Sequence, residues 1–149
     1  MLNRLQTFFD NFLTGEGESA TPLPHRLQLA SAALMVEVLH ADDTVLAVEE
    51  DELRKILEQR FELSQAEVNA LIELAHDEKH AATDYYAFTS LLNEHYSQQQ
   101  KIDLIEDLWR LAFADEQLDR YEEHLLRRLA ELLHVPHTDF IRTKHRQER

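Results

Sequence analysis

Apolar residues recur every three to four positions along almost the whole chain, a period that predicts helices rather than strands. Residues 2–13 place Leu2, Leu5, Phe8, Phe9, Phe12 and Leu13 on one side of an amphipathic helix. The segment 14–24 holds both glycines and two of the three prolines and reads as a linker. From about His25 to Ala41 the chain is apolar on nearly every side, with Leu29, Leu34, Met35, Val38 and Leu39 among its residues, so this helix should pack centrally.

Further helices follow in close order. One begins near Glu49 and turns Leu53, Ile56, Leu57 and Phe61 inward. The next starts after Ser64, where Ser64 and Glu67 have capping-box spacing, and buries Val68, Leu71, Ile72 and Ala75. A fourth, about Asp84 to His95, carries Tyr85, Phe88, Leu91 and Leu92; Ser97 and Gln100 then offer a second capping box for a helix with Ile102, Ile105, Leu108, Trp109 and Ala112. A sixth runs from about Tyr121 to Leu133, and Pro136 can open a seventh because its missing N–H is an orphan at a helix start anyway. The expected fold class is all-α, a compact bundle of about seven helices over residues 25–149, preceded by the helix of residues 1–13 and the linker.

Composition sharpens this picture. Two glycines in 149 residues, with 44% hydrophobic residues, favour helices over loops and suit a single domain. A net charge of −14 would repel a phosphate backbone, and the C-terminal Arg142, Lys144, His145, Arg146 and Arg149 are interrupted by Glu148, so no nucleic-acid partner is expected. With no cysteine, disulfides, thiolate metal sites and cysteine nucleophiles are excluded. The first residues lack a secretory pattern and no apolar run approaches the ~20 residues that span a bilayer, which points to a cytoplasmic protein. Only Arg4 and the terminal amine make the first helix positive, so its attraction to anionic lipid should be weak. Docking on its own domain or pairing two copies into a homodimer is the expected use of that helix.

Shifting the chain by 73 residues lays Ala41-Asp42-Asp43 on Ala114-Asp115-Glu116, Glu49-Glu50 on Glu122-Glu123, Leu53 on Leu126 and Arg54-Lys55 on Arg127-Arg128. One deletion later in the second copy brings Phe61-Glu62-Leu63-Ser64 onto Leu133-His134-Val135-Pro136. Two copies of a three-helix unit, about residues 26–80 and 99–146, explain the match. Each copy is an apolar helix ending in Ala-Asp-(Asp/Glu), a short turn, and Glu-Glu opening an amphipathic helix.

This pattern resembles the TerB-like proteins of the tellurite-resistance group over about residues 26–146. The resemblance implies an all-helical fold, a relation to tellurite and other stress responses, and divalent-metal binding by the acidic turns; it implies no reaction. Asp43 and Glu116 stand where the commoner family pattern has glycine, a departure that bears on how tightly a turn could wrap an ion. Carried over position by position, the matching acids are Asp42 and Glu49 or Glu50 in the first copy, and Asp115 and Glu122 or Glu123 in the second.

Hard divalent cations take carboxylate and carbonyl oxygens, so calcium, magnesium or manganese would suit such turns. The glutamates come too early for an EF-hand, however. In the competing structural reading the aspartates stabilise turns and the glutamates complement the positive ends of helices. His76 and His80 share one helix face, but two ligands make no site and the HDEKH order is not that of a zinc protease. No glycine turn exposes a nucleophile and no glycine loop cradles phosphate, so no enzyme is expected. Trp109 falls on Val36 of the first copy and reads as core. The leading expectation is an accessory or sensor module that works through a protein partner with a divalent cation at its turns; a hydrolytic metalloenzyme using the same carboxylates and a metal-free interaction domain are the alternatives.

Overall fold

The computed structural model describes residues 23–40, 47–75, 85–114 and 120–148, and within these every regular element is a helix. The helices are α1 (Leu23–His40), α2 (Ala47–Arg60), α3 (Gln65–Ala75), α4 (Tyr85–His95), α5 (Gln98–Ala112), α6 (Arg120–Leu132) and α7 (His137–Gln147). The amphipathic segment 1–13 and its linker up to residue 22 lie outside the described residues.

The all-round apolar α1 sits where its composition requires. Every residue from Leu29 to Leu39 is buried, and α1 packs on α3, α4 and α5. The second central helix is α5, which contacts α1, α2, α6 and α7. Its Trp109 is fully buried, stacks on Phe113 and meets the ring of Phe140 from α7 at 4.9 Å. The indole N–H, which needs a partner when buried, donates to the Phe140 carbonyl at 3.1 Å. The Lys144 ammonium lies 5.6 Å from the same indole, and α7 is tied again near its end, where Arg146 and Gln147 donate to the Glu106 carboxylate at 2.8 and 3.0 Å.

Both capping boxes form. At α3 the Ser64 hydroxyl accepts from the Glu67 N–H at 3.1 Å while the Glu67 carboxylate accepts from the Ser64 N–H at 2.8 Å. At α5 the same reciprocal pair joins Ser97 and Gln100, at 3.1 and 2.8 Å. Pro136 stands one position before α7 as its N-cap, rather than inside the first turn. Helix α6 ends at Leu132, one residue before the expected Leu133, and its closure is one the chain did not show: His134 adopts a left-handed conformation with φ of 58°, letting Val135 donate to the Ala130 carbonyl and His134 to that of Glu131. This is a Schellman closure with histidine where glycine is usual.

The helix boundaries repeat along the chain. Helix α2 opens at Ala47 and α6 at Arg120, 73 residues later. Helices α3 and α7 each run for 11 residues and open at Gln65 and His137, 72 residues apart. The packing repeats as well: α1 lies on α3, and α5 lies on α7.

Candidate functional site

The acidic helix starts are the first place to look for chemistry. Glu49 is the third residue of α2 and Glu122 the third of α6, and each is only 1% exposed. Their neighbours Glu50 and Glu123 are half-buried. In each pair it is therefore the first glutamate that the fold draws inward. Glu123 is held by basic side chains instead, 3.7 Å from Arg127 one turn along α6 and 3.6 Å from Lys144 of α7. The remaining acids of the expected set, Asp42 and Asp115, lie outside the described residues, as do Asp43, Glu116, His76 and His80.

A carboxylate in the first turn of a helix meets the positive end of the helix dipole, which offsets part of the cost of its burial. Taking an ion out of water costs several kcal/mol unless its partners offset it, so burial at matching positions sets these two acids apart from their neighbours. Among the described residues, no group of three or more histidine, aspartate and glutamate side chains is arranged to hold a metal ion. Glu49 and Glu122 are thus candidate members of sites to which the preceding turns would have to contribute.

A protein-family model described as tellurite resistance protein TerB matches residues 28–145. The chain belongs to the TerB family. Comparison with curated proteins and with solved structures gave no match. The TerB match spans all seven described helices apart from the first turn of α1 and the last residues of α7. No described helix of this TerB domain is long and apolar enough to cross a membrane.

Three further acids are buried in this TerB domain, of which patterning singled out Glu67 alone, and that only as a cap. Glu37, at 3% exposure, is the only acid within α1; its position in an otherwise apolar run is a signal the sequence carries. Glu67 does double duty, closing the α3 cap and bonding the His25 ring at 2.6 Å. Burial would raise its carboxyl, but the Ser64 N–H, the His25 bond and the His25 charge outweigh that and hold it below its ordinary value. Asp107 of α5 is 7% exposed and lies 3.1 Å from the Arg60 guanidinium at the end of α2. Burial pushes its carboxyl up to about 6; Arg60 and Arg110 pull the other way, while Asp103 and Glu106 add to the rise. Arg110 itself pairs with Glu52, so two crossed ion pairs join α2 to α5.

Proposed function

We propose that this TerB-family chain is an accessory or sensor module of a tellurite or related stress response, acting through a protein partner and gated by a divalent cation at two acidic turns. The observation that carries the reading is the matching burial of Glu49 and Glu122 at the third position of α2 and α6. In both halves an aspartate, Asp42 or Asp115, precedes that glutamate by the same seven residues. On this reading the halves are copies of one unit, each turn supplying an aspartate and backbone carbonyls and each helix start a carboxylate already withdrawn from water. Calcium, magnesium or manganese fits such oxygen donors. The carboxylates act here as ligands and no reaction is assigned to them.

Calorimetric titration of the full chain with each of the three ions tests this. Saturable binding is expected for at least one, weakened by Asp42→Asn or Asp115→Asn and abolished when both are changed. Glu49→Gln with Glu122→Gln should abolish it too, whereas Glu50→Gln with Glu123→Gln should leave it within about twofold. Absence of saturable heat in the wild type, or binding that survives the double aspartate change, would overturn the cation part of the reading. Affinity capture with and without the ion then asks whether partner binding follows it.

A further inference from the structure

The outer face of α6 has a charge opposite to that of the molecule carrying it. The helix buries Glu122, Leu125, Leu126, Leu129 and Ala130, which leaves Arg120, Tyr121, His124, Arg127, Arg128 and Glu131 exposed. Arg120, His124 and Arg128 follow one another at intervals of four residues, so they stand in one row about 12 Å long. Acids outnumber basic residues 29 to 15 in the chain, yet this row holds none of them. Arg127 beside it is turned back into the fold, 3.7 Å from Glu123 and 6.0 Å from the Phe140 ring. Arg120 and Arg128 are not: among the described residues, no carboxylate forms an ion pair with either.

A second observation falls on the same face. Tyr121 adjoins the row and is 69% exposed, one of three large hydrophobic residues, with Val48 and Tyr86, that the described surface shows. Tyrosine and arginine are the residues that protein interfaces enrich over ordinary surface, and they are over-represented among those that carry binding energy. Charge then selects the occupant. A guanidinium takes a carboxylate through two parallel N–H···O bonds, so arginines that no carboxylate of the described fold engages suit an acidic protein segment. A nucleic acid suits them less, because its phosphates would run on past a short row and over a molecule whose net charge is −14.

We propose that the outer face of α6 docks an acidic segment of a protein partner, its carboxylates meeting Arg120, His124 and Arg128 and an apolar side chain covering Tyr121. The proposal rests on the reading of this chain as a module with a protein partner, and it gives that partner a surface and a chemistry. A helical segment with an acid at every fourth residue repeats the spacing of the row. The row begins two residues before Glu122, so partner and cation would meet at the same end of α6.

Titration of the full chain at physiological ionic strength with an alanine-rich helical peptide bearing glutamate at every fourth position, followed by nuclear magnetic resonance, tests the proposal. Saturable binding is expected, with shifts of the Tyr121 ring protons and the α6 amides; the same peptide with glutamine for glutamate should not bind. Arg120→Glu and Arg128→Glu should each weaken binding about tenfold, and Tyr121→Ala by a smaller factor. Lys55→Glu on α2 makes the same change in net charge and should leave the affinity within about twofold, which controls for general repulsion. All four positions are exposed, so the variants should keep the wild-type circular dichroism. Absence of saturable shifts, equal binding of the glutamine peptide, or a loss in Lys55→Glu as large as in Arg128→Glu would overturn the proposal. Tighter binding of a short DNA duplex with the same arginine dependence would overturn it too, by making nucleic acid the occupant. Repeating the titration with Asp42→Asn and Asp115→Asn combined, where peptide binding should persist, keeps the two readings apart. A chain that takes the peptide but no cation loses only the cation reading, and one that does the reverse loses only this surface.

Discussion

Two buried acids set opposite pH responses within one small molecule. Asp107 has a folded-state pKa of about 6, above its ordinary 3.8. Between those values the folded protein keeps a proton that the unfolded chain has lost, so this residue makes stability fall as pH rises through the window and adds no slope above it. Asp107→Asn should therefore remove a fall on the order of 2 kcal/mol between pH 4 and pH 7, read by urea unfolding at the two pH values. Glu67 runs the other way. Its depressed pKa makes its contribution present above the unfolded value of 4.5 and lost as pH falls through the folded one. Glu67→Gln should cost about 1 kcal/mol at pH 7, with the difference from wild type closing in strong acid. His134 gives a third residue-scale test: a β-carbon in the left-handed region costs about 1 kcal/mol, so His134→Gly should raise the midpoint of thermal unfolding.

At the scale of elements, α7 docks chiefly on α5, and Phe140 stands at the centre of that contact. Phe140 is 1% exposed and meets both Trp109 and, at 6.0 Å, the Arg127 guanidinium. Phe140→Ala should cost about 3–5 kcal/mol and raise amide exchange in α7 before that of α1. Helix starts were largely legible in the chain, because their signals are local: Ser64 with Glu67 and Ser97 with Gln100 are reciprocal pairs three residues apart, and both boxes form. The end of α6 was legible to within one residue, but the form of its left-handed closure was not, since His134 stands where a glycine would mark it. For the candidate site, adjacent glutamates differ by about 100° around a helix, so patterning could reach the pairs Glu49-Glu50 and Glu122-Glu123 but only packing chooses the buried member. Asp107 was illegible for a stronger reason. On α5 it sits among the polar positions of an amphipathic helix, and it is buried only because Arg60, 47 residues earlier, and Tyr96 close over it.

For the whole molecule, the described core is built from α1 to α7, which pack on one another without a gap between the two halves: α1 touches α5 and α6, and α4 touches α6. Removing residues 1–13 should accordingly leave the helical signal in circular dichroism per residue nearly unchanged, while sedimentation should reveal a change in oligomeric state if that segment pairs two copies. Loss of the helical signal would instead assign it to the central core. The crossed ion pairs between α2 and α5, and Asn93 of α4 donating to the Leu132 carbonyl at 2.8 Å, join helices distant in sequence and favour one cooperative unfolding transition. The molecule carries its own reporter for that question. Its single tryptophan, Trp109, lies where α5 meets α7, shielded from water and bonded to Phe140, so its fluorescence reads the docking of α7 on α5. A red shift of that emission coinciding with the loss of ellipticity would mark one folding unit; a shift that comes first would show α7 leaving α5 while the other helices still stand.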